Sequence, residues 1–309
     1  MKSGGSSTSI TWLMKLGPRI EHRGIDFESD AMTDSTAQLR ELLANPGIIR
    51  SLAPHDAFSA KVMEQAGIPL LFLGGFGASA SAFGLPDLGL LGMAEMAEAA
   101  RRMTAAVNIP VIVDGDTGYG AIPNVIRTVR EFERAGAAGM LLEDQLFPKR
   151  CGHFRGKQLI PVDEMSAKLK AALDARRDSK FVVIARTDAR AVEGLDAAIE
   201  RANRYAEIGA DMIFVEAPQS KEELAKVARE IPKPQLANML VGGATPIHSA
   251  VELEQLGFKI VVSPIESLAV TAFAVDHLAK AMLTEGRIDT LADRMWTFSE
   301  MKRLLGVDA

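Results

Sequence analysis

Eight short apolar runs, each followed by a longer amphipathic stretch, constrain this chain more than any other feature. Residues 48–52, 69–73, 110–113, 139–142, 181–185, 212–215, 235–237 and 259–263 are short, apolar and bounded by Gly, Pro or Asp. Such runs read as strands buried on both faces of a parallel sheet. The stretches between them carry helical spacing: Leu195, Ala198, Ile199, Ala202, Tyr205 and Ala206 fall on one face of a helix. Gly67, Gly136, Gly209 and Gly257 each stand just before the next strand, where a left-handed glycine ends a helix at little steric cost. Eight such units fit a (β/α)8 barrel, commonly about 250 residues long, with an open doubly wound sheet as the alternative. The strand ends favour the barrel. Asp114 and Asp116, Glu143 and Asp144, Arg186 and Asp188, Glu216, and Asn238 all follow apolar runs, and a barrel gathers such ends around one mouth where an open sheet spreads them.

Composition narrows the partners. Of 309 residues, 48% are apolar and 24% charged, with a formal net charge of −5. No Lys/Arg stripe interleaved with aromatics is present, which argues against a nucleic-acid surface and for a small ligand. One cysteine makes no internal disulfide, and no apolar run is long enough to span a bilayer, so a reducing cytoplasm suits the chain. Residues 1–31 mix Ser, Gly and acidic residues without a sustained period and read as a loose tail before a single domain over 32–309. They fit neither a secretory signal nor a transit peptide. A working chain starting at Met32 is an alternative, because Asp34 and Ser35 look like the capped entry to a helix ending near Ala44.

The densest chemistry lies between Leu141 and His153. There an apolar strand runs into Glu143 and Asp144 and then into a loop with the lone Cys151 beside Lys149, Arg150, Gly152 and His153. Cationic neighbours lower a thiol pKa and let it exchange a proton near neutral pH. A buried, inert thiol is the competing reading. Asp114-Gly115-Asp116, closing a strand, concentrates negative charge that a hard cation such as Mg²⁺ or Mn²⁺ would neutralise, and Glu143 adds a third carboxylate. Turn and cap roles would explain the same Asp and Gly residues. No His/Cys cluster suggests zinc. Arg186 must find an anion, either a structural Asp or a substrate carboxylate, and its position favours substrate. Gly74, Gly75 and Phe76 offer backbone N–H groups to a carboxylate, although a plain turn also explains the glycines. Glu216 and Asn238 stand at the rim, where lone polar residues often serve the backbone.

Lys149-Arg150-Cys151-Gly152-His153 resembles the signature of the isocitrate lyase and phosphoenolpyruvate mutase superfamily. Around it, Gly84-Leu85-Pro86-Asp87, Val113 to Asp116, Ala185-Arg186-Thr187-Asp188 and Ala237-Asn238 recur in the family's order. The resemblance spans roughly residues 38–300. It implies a (β/α)8 barrel whose eighth helix is exchanged with a neighbouring subunit, a homotetramer, and a Mg²⁺ site for a 2-oxo acid or its enolate. Asp114 and Asp116 would hold the metal directly or through water, with Glu143 beyond them. The cysteine loop, residues 146–160, would close over the ligand, with Phe147, Phe154 and Leu159 as its apolar weight.

The Cys-Gly-His segment separates lyases from the phosphonopyruvate branch. The chain is similar to the 2-alkylmalate lyases, including 2,3-dimethylmalate lyase and the petal death protein, and to methylisocitrate lyases. It departs from the latter at Phe72 and Gly74, where they carry Tyr and Ser, and from both groups at Val241, where they carry Glu. The implied reaction cleaves a 2-hydroxy dicarboxylate to a 2-oxo acid such as pyruvate plus a carboxylate. Cys151 would protonate the departing carbon, poised by Lys149 and His153. Arg186 and the backbone of Gly74 to Phe76 would anchor the substrate, and Asp87 or water would take up the hydroxyl proton. Alternative activities are those of a carboxyphosphonoenolpyruvate phosphonomutase or an oxaloacetate decarboxylase-like enzyme.

Overall fold

The structure, a computed structural model, describes residues 34–152 and 156–307. Eight parallel strands form one sheet: β1 (Ile49–Leu52), β2 (Leu70–Leu73), β3 (Val111–Asp114), β4 (Gly139–Glu143), β5 (Val182–Thr187), β6 (Met212–Val215), β7 (Leu236–Asn238) and β8 (Ile260–Ser263). Each lies within two residues of its expected position. The first and last strands pair, from Ile49 opposite Ile260 to Leu52 opposite Ser263. Between β6 and β7 the ring is joined by the bridge Ile213 to Gln235 and by the Ile213 N–H donating to the Pro234 carbonyl at 3.0 Å. The eight β/α units therefore close into a barrel, and the open sheet is excluded.

Alternation along the strands divides the core in two. Leu70 and Phe72, Ile184, Phe214 and Ile260 point inward and pack on one another. Leu71 and Leu73, Val183 and Ile213 point outward against the helices. The helix Leu195–Ile208 buries Ala198, Ile199, Ala202, Tyr205 and Ala206 as its spacing requires. It buries Arg201 as well, which periodicity alone did not mark. Gly67, Gly136, Gly209 and Gly257 adopt φ of +89°, +81°, +113° and +106°, the left-handed conformation expected of them. The helix Ser35–Ala44 opens with the Asp34 carboxylate accepting from the Ala37 N–H at 3.0 Å. Its Leu39 joins the inner cluster, while Arg40 donates to the Lys180 carbonyl and pairs with Asp211 at 2.8 Å.

Gly139 begins β4 where two strands approach closely: a Cβ there would lie 2.6 Å from the Val182 carbonyl oxygen. Gly139→Ala is expected to destabilise the barrel by about 1–3 kcal/mol through overpacking, read as a lower midpoint in urea unfolding.

One helix does not behave as a barrel helix. Glu266–Glu285, which follows β8, leaves Val270, Phe273, Val275 and Leu283 between 56% and 86% exposed. Elsewhere on the barrel, the helices Ala57–Gln65, Gly75–Phe83 and Met93–Thr104 border a groove of about 680 Å³ whose apolar lining includes Phe58, Leu73, Phe83 and Met103. No helix among the described residues is long and apolar enough to cross a membrane.

Candidate active site

The mouth of the barrel is built from strand ends and the loops that follow them. β3 delivers Asp114, whose carboxylate accepts from the Asp116 N–H at 3.0 Å and the Gly75 N–H at 3.4 Å. Between the two aspartates, a Cβ at Gly115 would lie 2.6 Å from the Leu141 carbonyl oxygen, so only glycine lets β3 pass β4 here. Asp116 takes φ of +46°, a costly conformation for a residue with a side chain. Its carbonyl is fixed by the Glu143 N–H at 2.9 Å. Burial at a charged site and backbone strain meet in one residue, a combination that marks functional positions.

Charge here is out of balance. Among the described residues, six buried carboxylates, Asp87, Asp114, Asp116, Glu143, Asp188 and Glu216, share the mouth with three buried cations, Lys149, Lys157 and Arg186. Lys149 pairs with Asp87 at 2.6 Å and Asp116 at 2.8 Å. Arg186 reaches Asp188 at 2.9 Å, Glu216 at 3.1 Å and Glu143 at 3.4 Å, and lies over the Phe214 ring. Lys157 pairs with Asp188 at 2.7 Å. Two of these carboxylates hold their protons more tightly than usual. Burial pushes the Asp116 carboxyl up to about 7, with Lys149 opposing and Asp114 and Asp87 adding to the rise. Burial likewise holds Glu143 well above the usual carboxylate range against the pull of Arg186, and one of its oxygens, Oε1, has no hydrogen-bond partner among the described residues. Asp188 goes the other way: burial opposes its charge, but Arg186 and Lys157 hold it down at about 2.

The cysteine loop leaves β4 through a buried anchor. Asp144 accepts from Thr187 Oγ1 at 2.7 Å, Tyr205 OH at 2.9 Å and the Asp188 N–H at 2.9 Å. Gln145 bridges antiparallel to Leu159, and the Ile160 N–H returns to the Asp144 carbonyl at 3.0 Å, so the two ends of the loop are tied together. The Gln145 amide spans the Arg150 backbone, donating to its carbonyl and accepting from its N–H. The Cys151 N–H donates to the Asp87 carbonyl at 3.3 Å. Of the residues expected to weight a closing lid, Phe147 is 57% exposed and Leu159 is half-buried. His153 and Phe154 lie outside the described residues.

A cavity of about 60 Å³ joins Gly74, Gly75 and Phe76 to Asp87, Asp114, Lys149, Cys151, Gly152, Arg186, Glu216 and Asn238. Asp116 and Glu143 stand beside it through Lys149 and Arg186. Two expectations gain detail. The Lys149 ammonium pairs with Asp87 and Asp116 beside its place near the thiol. Arg186 finds its anions in protein carboxylates, the first of the two options open to it. Asn238 does not serve the rim backbone through its side-chain oxygen, which is buried without a hydrogen-bond partner among the described residues. The far wall is apolar: Phe72, Phe214, Leu236, Leu240, Val262 and Ile265. Val241 is 72% exposed, with its N–H held by Glu266 at 2.8 Å.

Among the described residues no group of three or more His, Cys, Asp or Glu side chains converges as a ready metal cage. The donors at the mouth are all oxygens, and Glu143 Oε1 has no hydrogen-bond partner among the described residues, so the set fits a hard cation that takes one or two carboxylates and keeps much of its water. Lys157 is the residue that sequence reasoning missed. It sits in a polar loop with no periodicity, and nothing in its neighbours announces that it is buried.

Comparison with known proteins agrees with this geometry. Residues 39–283 match the family model of phosphoenolpyruvate phosphomutase. The 2,3-dimethylmalate lyase of Eubacterium barkeri is 43% identical over 275 residues, covering 89% of this chain and 95% of that protein. The structure of oxaloacetate acetylhydrolase in complex with the inhibitor 3,3-difluorooxalacetate superposes with a TM-score of 0.85 at 33% identity, covering 90% of this chain and 95% of the other. A phosphonopyruvate hydrolase in complex with oxalate and Mg²⁺ superposes with a TM-score of 0.80 at 30% identity, covering 90% and 96%. With its closed barrel, its carboxylate-rich mouth and this family match over most of its length, the chain belongs to the phosphoenolpyruvate mutase and isocitrate lyase superfamily, as an enzyme on its carbon–carbon lyase side.

Proposed function

We propose that the chain is a Mg²⁺-dependent lyase that splits a 2-hydroxy dicarboxylate of the 2-alkylmalate type between C2 and C3, yielding a 2-oxo acid such as pyruvate and a carboxylate. The observation that carries this reading is the excess of three buried carboxylates at a cavity that must admit a dianion. An anion entering such a site meets repulsion unless a cation accompanies it. Asp114 and Asp116 would hold Mg²⁺, or Mn²⁺ in its place, with Glu143 beyond them. The orphaned Glu143 Oε1 and the raised proton affinities of Asp116 and Glu143 fit that assignment. When bound, the metal polarises the substrate's hydroxyl and adjacent carboxylate and makes the hydroxyl easier to deprotonate.

The chain's own residues do the rest. As the hydroxyl proton passes to Asp87 or to water, the C2–C3 electron pair settles on C3, and the Cys151 thiol gives that carbon its proton. Lys149 and Arg186 offset charge around the fragments, and the Gly74–Phe76 backbone lies where a carboxylate can be anchored. The apolar wall of Phe72, Phe214, Leu236, Leu240, Val262 and Ile265 accepts an alkyl arm and offers no cation to a third carboxylate, which favours alkylmalates over methylisocitrate. Val241 is exposed, so Val241→Glu is expected to leave the ratio of rates on alkylmalate and methylisocitrate unchanged. A shift of that ratio toward methylisocitrate would place residue 241 at the substrate.

The exposed face of Glu266–Glu285 and the apolar groove beside Phe58 and Phe83 fit exchange of the eighth helix between subunits of a homotetramer. The test of the activity is a screen for 2-oxo acid release from 2-alkylmalates, methylisocitrate and oxaloacetate in Mg²⁺, beside phosphorus NMR on carboxyphosphonoenolpyruvate. Release from alkylmalates is expected. Phosphonate formation without 2-oxo acid release would assign the phosphonomutase reading instead.

A further inference from the structure

Lys157 is charged, its side chain is only 2% exposed, and the reaction described above gives it nothing to do. Burying an ammonium is costly unless it is paired and hydrogen-bonded, so its contacts should reveal its role. It has two. Its Nζ donates to the Gly152 carbonyl, one residue past the thiol, and to Asp188 Oδ1 at 2.7 Å, at the end of β5. Asp188 is itself held from two sides: its N–H donates to Asp144, and its carboxylate takes the Nε and Nη2 of Arg186 at 2.9 and 3.1 Å. Gly152 is pressed against the same group, since a Cβ there would collide with Arg186 Nη2 and Glu216 Oε2. The peptide that follows Cys151 is thus pinned to the barrel at a point where no side chain fits.

We infer that Lys157 is a positioning residue: it clamps the Gly152 peptide onto the Asp188–Arg186 pair and so sets the Cys151 thiol at the cavity. The consequence for turnover rests on Cys151 acting as the acid; the clamp itself does not. An acid displaced by about 1 Å delivers its proton roughly 100-fold less effectively, whereas binding of the first carboxylate, on the Asp114 side, is untouched. Asp188 joins the clamp to the guanidinium at the cavity, so the acid and the anion-facing cation share one anchor.

The chain has a single cysteine, so intact-mass analysis of iodoacetamide alkylation reports this position alone. In Lys157→Met, which keeps an apolar stem and removes the ammonium, basal alkylation of Cys151 should accelerate at least about tenfold, the clamp no longer holding the thiol against the barrel. Its kcat should fall about 100-fold, with KM and the affinity for Mg²⁺–oxalate unchanged. Gly152→Ala, whose Cβ would push the Gly152 backbone off Arg186 and Glu216, should accelerate alkylation likewise, and its alkylation rate decides the matter if Lys157→Met fails to fold. Unchanged alkylation with near-normal kcat in the variant that folds would overturn the clamp. If the wild-type protein releases no 2-oxo acid from any substrate, the proposed activity falls while the alkylation rates still decide for or against the clamp.

Discussion

Asp116→Ala is expected to lose lyase turnover by at least about 10³-fold, the penalty for removing several kcal/mol of metal-based stabilisation at roughly 1.4 kcal/mol per tenfold. The fold should survive. Asp116 is a buried carboxylate whose charge the protein disfavours, held at a strained φ of +46°; its removal relieves an excess of negative charge and leaves Lys149 paired with Asp87. Thermal unfolding should therefore move by no more than about 4 °C, the shift that ~1 kcal/mol produces in a domain of this size. A site that spends stability in this way is paid back only through function. Full turnover of the alanine variant in excess chelator would remove the metal from the account.

Cys151→Ser is expected to bind Mg²⁺–oxalate like the wild type and to lose about 10²–10⁴-fold in kcat, the usual contribution of a general acid. Serine preserves size and shape, but its hydroxyl is a far weaker acid than a thiol of ordinary pKa about 8.5. The half-buried side chain lines the cavity, so the exchange should cost little stability. The measurement is pyruvate release beside calorimetric affinity for oxalate. Near-normal rates in the serine variant would reduce Cys151 to a packing residue.

The barrel was legible in the sequence because its signal is local and repeated. Runs such as 69–73 and 139–142 declare buried strands by themselves, and Gly136 or Gly209 declares the helix ends between them. The mouth was legible for a related reason: Asp114, Glu143, Arg186 and Glu216 each end an apolar run, and closure of the barrel brings such ends together. Pairing was not legible. Whether Arg186 meets a substrate or Asp188, and whether Lys149 faces the thiol or Asp87, depends on side-chain directions across elements far apart in sequence. Lys157 was invisible on the same ground, because its burial comes from Asp188, 31 positions away. The exposure of Phe147 was not legible, because an aromatic in an irregular segment carries no face. The exposed side of Glu266–Glu285 was expected through the family resemblance alone: its composition is that of a barrel helix, and no residue in it announces the exposure that the described packing shows.

The account turns on charge, and the most direct measurement of it is the calorimetric titration of oxalate into the protein with and without Mg²⁺. The six buried carboxylates and three cations among the described residues of the mouth should refuse a dianion by themselves and accept it together with a divalent cation. The expected result is tight, stoichiometric binding in Mg²⁺ and none detectable in EDTA. Equal affinity in both would show that Lys149 and Arg186 suffice to hold the ligand, and would contradict the metal-centred reading of the site.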